Sequence, residues 1–188
     1  MLSCIDGNNK KNGSDKDSDS LQVILIDSIA VPGMHDAVGT IGDGTSMNVL
    51  ELITDQGDTI AITCPANMVA GGVNVGDRIA VTYNSTNGGN SAMTSINLTS
   101  LQHLWTQQAA DGHEQSLELD EGGRATTYDM AIEYSSWSLE DGKLLLHSPK
   151  KIASESAAIA DTFEIMELND ERLVLMHGNL TTEFSKDN

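Results

Sequence analysis

Residues 117–146 read LELDEGGRATTYDMAIEYSSWSLEDGKLLL, and the turn signals in this stretch indicate how the second half of the chain folds. The pair Asp141-Gly142 is a strong two-residue hairpin signal, and Gly122-Gly123 marks a second turn. Around these turns stand short runs of aliphatic, aromatic and β-branched residues, the composition that is typical of strands. Because strands joined by tight turns pair with their sequence neighbours, the stretch predicts an antiparallel meander.

The same arrangement recurs through the second half of the chain. Residues 116–127, 138–147 and 166–176 each place an apolar residue or pair before acidic residues with a turn signal, and then a strand. Seven or eight such strands can close into an up-and-down barrel with room for one small ligand. We therefore expect residues 101–188 to form a small β-barrel.

Residues 21–100 also predict β-structure throughout. Pro65 and Gly71 frame one short helix at 65–70. The stretch VNVGDRIAVTY (73–83) resembles the beginning of a strand in OB-type barrels, so we expect an OB-like small barrel here. The predicted strands are 21–31, 37–43, 46–54, 58–63, 77–83 and 92–99.

The charge of the chain argues against nucleic-acid partners. Ten basic residues stand against 28 acidic ones, which gives a net charge of −18, and such a surface repels phosphate backbones. Barrels that bind single-stranded nucleic acid do so with basic and aromatic side chains. Residues 21–100 offer one arginine, no lysine and a single aromatic residue, Tyr83. We therefore expect no nucleic-acid binding.

The first twenty residues differ from the rest. The stretch IDGNNKKNGSDKDSDS (5–20) contains one apolar residue, too little to offset its backbone entropy, so it predicts a disordered tether. Met1 to Cys4 resemble the end of a bacterial lipoprotein signal, in which the cysteine receives lipid. The charged start and the apolar region of such a signal are missing, so we expect the true start codon to lie upstream. The alternative is a cytosolic protein with a chance cysteine near its start.

Several stretches in order resemble a lipocalin-like domain of Bacteroidetes lipoproteins. They are LWTQ (104–107) with Trp105, the turn DEGGRA (120–125), the run 128–146 with its central Trp137, and the strand ADTFEI (160–165). The resemblance covers residues 102–186 and implies a calycin-type barrel on a surface or periplasm-facing lipoprotein, with an undefined ligand. It supplies no catalytic residues.

The candidate ligand-binding residues follow from strand alternation. In 128–137 alternation places Tyr128, Met130, Ile132 and Tyr134 on one face, which we expect to point inward. Met130 and Tyr134 are then candidates for lining a cavity, together with Phe163. Trp105 and Trp137 are further candidates, although such large rings more often fill a core or plug a barrel end. An interior filled by side chains is the alternative.

Neither metal nor catalytic chemistry is indicated. No two of the five histidines stand two or four residues apart, so neither a strand face nor a helix presents a pair. The cysteines, Cys4 and Cys64, have no zinc or redox spacing. No GxSxG, HExxH or phosphate-binding glycine loop is present. We therefore expect no enzyme, no cofactor and no metal site.

The sequence thus predicts an all-β protein with two small antiparallel barrels after a tether. The expected parts are the tether 1–20, the OB-like barrel 21–100 and the lipocalin-like barrel 101–188. The expected function is non-catalytic binding of a small apolar ligand in the second barrel. The protein is expected to be lipid-anchored through Cys4 in the bacterial cell envelope, at the outer membrane. The alternative is an envelope lipoprotein with a filled barrel that docks a partner protein or senses stress.

Overall fold

The computed structural model of the protein describes residues 33–149 and 160–187. The expected tether with Cys4 and the expected strand 21–31 lie outside this part of the chain. The described residues are all-β apart from two short helical turns, so the predicted fold class is confirmed.

Five strands close the first barrel. Their order around it is β1-β2-β3-β5-β4, and β1 pairs with β4 to complete the circle. Neighbours are antiparallel except β3 and β5, which are parallel. Each strand overlaps a predicted one, whereas the predicted helix 65–70 is reduced to a 3₁₀ turn, Ala66–Met68. A five-stranded barrel is therefore present, and its OB-like assignment stays a prediction. The strands are β1 (Met34–Ile41), β2 (Val49–Thr54), β3 (Thr59–Thr63), β4 (Arg78–Thr86) and β5 (Gly89–Asn97).

Eight strands form the second barrel, which follows a one-turn helix, α1 (Leu98–Leu101). Their order is β8-β7-β6-β13-β12-β11-β10-β9. Consecutive strands of this barrel therefore pair, except β8 and β9, and β13 returns to β6. The predicted up-and-down meander is confirmed. The strands are β6 (Leu104–Gln108), β7 (Glu114–Leu119), β8 (Ala125–Tyr128), β9 (Ser136–Glu140), β10 (Lys143–His147), β11 (Ala160–Leu168), β12 (Arg172–His177) and β13 (Leu180–Lys186).

The barrel is nearly closed where its edge strands β8 and β9 meet. The amide of Ala125 donates to the carbonyl of Ser135, and the amide of Trp137 donates to the carbonyl of Gly123. The predicted hairpin turn between β9 and β10 is present at Asp141 and Gly142. Both residues have positive φ, 50° and 73°, as a two-residue turn of this type requires.

The strand predicted for 128–137 is wrong. β8 ends at Tyr128, and residues 129–135 form a loop before β9 begins. Asp129 has φ 54°, a left-handed conformation that interrupts an extended backbone. Tyr128 and Ile132 are therefore 48% exposed and do not point inward, whereas Met130 and Tyr134 do pack against the barrel core.

The two ends of the second barrel differ. We call the end where β6, β8, β10 and β12 finish the mouth, and the opposite end, with the turns 120–124, 141–142 and 169–171, the closed end. The closed end lies against the first barrel. The amide of Gly71 donates to the carbonyl of Leu168 at 2.9 Å, and Gly142 lies beside Thr94. The mouth therefore faces away from this junction.

One hydrophobic cluster crosses the junction. The outer face of the first barrel contributes Ala80 and Ile96, and α1 contributes Leu98 and Leu101. These residues pack with buried side chains of the second barrel, among them Trp105, Leu119, Leu139, Leu144 and Leu168. Because one apolar cluster includes both barrels, they stabilise each other.

The side chain of Asn97 holds the polar part of the junction. It is fully buried and caps α1 by accepting from the amide of Ser100 at 3.0 Å. Its Nδ2 donates to the carbonyl of Gly72 at 3.1 Å and to Oδ2 of Asp77 at 2.7 Å. The side chain thus satisfies groups on three segments that meet at the start of the second barrel.

We expect Asn97→Ala to lower the free energy of unfolding by about 2–4 kcal/mol, because it leaves buried polar groups without partners. Urea denaturation measures this. Tryptophan fluorescence reports on the second barrel alone, since both tryptophans lie there, and circular dichroism reports on both barrels.

The shared cluster predicts that the two signals change together in the wild-type protein. Asn179→Ala, in the exposed turn between β12 and β13, is the control and should leave stability unchanged. Two separate transitions, or an Asn97→Ala variant as stable as the control, would contradict the role given to the junction.

Candidate functional site

Strand register shows which side chains enter the second barrel. Leu144 and Leu146 of β10 are fully buried members of the core. Phe163 lies directly opposite Leu144, and Asp161 lies directly opposite Leu146. Because directly opposed residues of an antiparallel pair share a face, Phe163 and Asp161 also face the interior. They stand in the part of β11 that is nearest the mouth.

The half of the interior next to the closed end is filled. Trp105 is fully buried, and its Nε1 donates to the carbonyl of Leu101 at 2.8 Å. Trp137 is buried as well, and its Nε1 donates to the carbonyl of Asp120 at 3.0 Å. The two rings thus act as core residues with satisfied polar atoms, and contact between either ring and a ligand stays a prediction.

The half next to the mouth is more polar, and most of its side chains are less completely buried. We call Met130, Tyr134, Asp161, Phe163 and His177 the mouth cluster. The rings of Tyr134 and Phe163 meet edge to face at 6.4 Å, and those of Phe163 and His177 lie 5.1 Å apart. The hydroxyl of Tyr134 donates to Oδ2 of Asp161 at 2.6 Å. Met130 and Phe163 are only half-buried, so both present apolar surface towards the mouth.

Of the predicted lining residues, the structure brings Tyr134 and Phe163 into contact, and Met130 packs half-buried against the same hydrophobic core. The structure adds Asp161 and His177, which the sequence does not indicate as partners. His177 stands fourteen positions beyond Phe163 and reaches it because β11 and β12 pair. The sequence signal for this pair is the alternation of inward and outward residues in β11 and β12, which pairs the start of β11 with the end of β12.

The opposite wall of the mouth carries amides. Gln107 and Gln115 face each other across β6 and β7, two positions from the inward pair Trp105 and Leu117. The Nε2 of Gln107 donates to Oε1 of Gln115 at 3.0 Å. The Nε2 of Gln115 donates to the carbonyl of Asp129 at 2.9 Å. This last bond fastens the loop 129–135 to the barrel wall.

Tyr134 stays protonated far into the alkaline range. Burial raises the pKa of its phenol well above the ordinary value, and the hydrogen bond to Asp161 and the negative charge of that residue act in the same direction. The mouth cluster therefore holds a neutral hydroxyl that donates to a carboxylate at physiological pH.

A second concavity lies at the closed end, beside α1. Its volume is about 390 Å³. Burial lowers the pKa of His103, which lines it, and the nearby positive charge of Lys186 adds to the effect. The lining is mostly polar and acidic and consists of Thr99, Gln102, His103, Leu104, Glu118, Leu119, Asp120 and Glu121.

Within residues 33–149 and 160–187, no three histidine, cysteine or carboxylate side chains converge as metal ligands do. The helices of that same part of the chain are all too short or too polar to cross a lipid bilayer.

The raised pKa of Tyr134 predicts an alkaline loss of stability. Unfolded tyrosine ionises near pH 10, whereas folded Tyr134 does not, so rising pH above about 10 favours the unfolded chain. We expect the unfolding free energy to be constant between pH 8 and 9 and to fall from pH 10 upward, less steeply in Tyr134→Phe.

Urea denaturation at each pH measures this slope. Tyr128→Phe is the matched control. Its hydroxyl is bonded to Glu118 but solvent-exposed, so its effect on the slope should be smaller. Equal slopes in wild type and Tyr134→Phe would contradict the prediction.

Comparison with known proteins gives one family match and one similar solved structure, and the family match spans the second barrel. Residues 97–187 match the lipocalin-like family. A similar solved structure is that of a lipocalin-like protein from Bacteroides thetaiotaomicron VPI-5482, with 27% identity and a TM-score of 0.40. The match covers 47% of this chain and 98% of that one. No curated protein matches the chain. Lipocalin-like domains are generally non-catalytic, and their fold suggests a ligand-binding barrel. Residues 97–187, which contain α1 and the second barrel, are thus similar to the lipocalin-like family.

Proposed function

We propose that this protein binds a small apolar molecule at the mouth of its second barrel and catalyses no reaction. The observation that carries the proposal is the mouth cluster. Half-buried Met130 and Phe163 stand there above a filled interior, at the end of the barrel that the first barrel leaves uncovered.

The filled half limits the size of the ligand. We call Trp105 and Trp137, together with the leucines of the same buried cluster, the floor of the mouth. A ligand resting on this floor would meet Phe163, Tyr134 and Met130 on one side and the amides of Gln107 and Gln115 on the other. Such a lining, mostly apolar with a few polar groups, suits a small amphipathic molecule.

The polar groups of the mouth support binding rather than catalysis. A nucleophile needs an adjacent base that a third group orients. In the mouth cluster the hydroxyl of Tyr134 instead donates to Asp161, and its raised pKa keeps it protonated. These groups are suited to orienting a ligand.

A neutral fluorescent probe, N-phenyl-1-naphthylamine, tests the binding site. We expect saturable binding at one site and at least fivefold weaker binding in Phe163→Ala, because the variant removes the largest half-buried ring of the mouth cluster. Fluorescence titration measures both. Met130→Ala, which alters the loop wall instead of the strand, should also weaken binding.

Met166→Ala is the matched control. It lies on β11 as Phe163 does, but its side chain is 56% exposed on the surface of the barrel. It should bind the probe as the wild type does. Absence of saturable binding, or equal affinity in Phe163→Ala and Met166→Ala, would exclude the mouth as the binding site.

We also propose that Cys4 carries a lipid anchor and that the protein belongs to the envelope of a Gram-negative bacterium. Support comes from the cysteine that follows Met1-Leu2-Ser3 and from the polar residues 5–20 behind it. A diacylglyceryl cysteine carries more than one acyl chain, as stable anchoring requires. The polar stretch would hold the barrels off the membrane.

Intact mass after expression from the native locus, with its upstream sequence, tests the anchor. We expect a mature amino terminus at Cys4 with the added mass of lipid, and recovery in the membrane fraction. Cys4→Ser should shift the protein to the soluble fraction. An unmodified soluble chain that starts at Met1 would exclude the anchor and leave the binding proposal untouched.

Partner docking is the second candidate function. The filled half of the second barrel favours it, because a small ligand has only the mouth to occupy. If the probe does not bind, the envelope protein would act through its surface, and the 390 Å³ concavity beside α1 would be the first place to examine.

A further inference from the structure

We propose that the mouth cluster selects organic cations, namely amines or quaternary ammonium groups that carry an apolar tail. This inference rests on the proposed function, since it names the chemical class of the ligand at the same site. The juxtaposition that carries it is an inward carboxylate, Asp161, beside the rings of Tyr134 and Phe163.

Asp161 has an unusual position for a carboxylate. It is half-buried on the inner face of β11, opposite the fully buried Leu146. The described residues supply one hydrogen bond to it, from Tyr134, and none of their Lys, Arg or His side chains forms an ion pair with it. A half-buried carboxylate with no cationic partner among these residues favours a cation beside it.

The rings around Asp161 suit a cation as well. The aromatic face carries negative charge density and attracts ammonium groups within about 6 Å of the ring centre. Tyr134 and Phe163 stand edge to face with their ring planes 88° apart, so their faces point in different directions. A carboxylate with several aromatic rings is the chemistry by which proteins recognise organic ammonium groups.

The basic residues of the second barrel lie at one of its ends, whereas its carboxylates lie at both. Four basic residues of the described barrel stand at the closed end or next to it: Arg124, Lys143, Arg172 and Lys186. The mouth end carries five carboxylates: Asp111, Glu114, Asp129, Glu133 and Asp161. By sequence, Lys150, Lys151 and Glu155 belong to the connection 150–159, which adds one positive charge in total. The mouth end therefore stays negative.

Three amphiphiles with the same tail test the selectivity. Dodecyltrimethylammonium, dodecanoate and the uncharged dodecyl maltoside, each below its micelle concentration, compete with the neutral probe N-phenyl-1-naphthylamine. We expect the ammonium compound to displace the probe at a concentration at least tenfold lower than either of the others.

Asp161→Asn locates the source of that preference. The amide oxygen of asparagine still accepts from Tyr134, so the variant removes the charge and keeps the hydrogen bond. We expect the cation preference to fall below threefold. The neutral probe should bind at least as tightly as it does to the wild type, because no half-buried charge loses water when it binds. Asp170→Asn, in an exposed turn at the closed end, is the control for the net charge of the protein and should keep the full preference.

The outcomes separate the two proposals. Probe binding without a cation preference overturns this inference and leaves ligand binding standing. A cation preference that Asp161→Asn leaves intact overturns it as well. So does a preference that 0.5 M salt alone removes, because salt screens exposed charges in this way. Failure of the probe to bind overturns the proposed function itself. A preference that Asp161→Asn removes and Asp170→Asn retains supports the assignment.

Discussion

The buried amide of Asn97 is the interaction on which the arrangement of the two barrels depends. It is the last residue of β5, and its side chain joins the first turn of α1, Gly72 and Asp77. Gly71 closes the same junction, because its amide meets Leu168 and a Cβ there would lie within 3.1 Å of Asn97, Ser100 and Leu168. A buried polar network is stabilising only when its members are satisfied, which fixes one orientation of the chain at this point.

That orientation determines which end of the second barrel is available. α1 passes directly into Trp105, whose Nε1 bonds back to Leu101, so the junction and the floor of the mouth are built from adjacent residues. Because buried side chains fill the half next to the closed end, a ligand would have only the half next to the mouth to enter. The described loops at the mouth, 109–113, 129–135 and 178–179, lie at the end opposite the first barrel.

The sequence was informative where local chemistry decides the structure. Asp141-Gly142 specifies its turn because both positions need positive φ, and the alternating strands around it specify the meander. The loop 129–135 was missed because YDMAIEYSSW alternates as well as any strand does. The capping role of Asn97 was missed because the residue lies within the predicted strand 92–99. Only tertiary packing ends the strand there and begins α1. Asp161 and His177 join the mouth cluster by strand pairing, which no short sequence window contains.

The polar members of the mouth cluster constrain what an apolar ligand can be. A molecule that fills the space beside Phe163 removes water from Asp161, and a carboxylate that loses water without gaining a partner opposes binding. The hydroxyl of Tyr134 offsets part of that loss but supplies one hydrogen bond, whereas a carboxylate accepts several. The free-energy cost of desolvating Asp161 would therefore weaken the binding of a wholly apolar ligand. A ligand with a cationic end would instead gain from the loss of water, because the attraction between its charge and the carboxylate of Asp161 strengthens as water leaves.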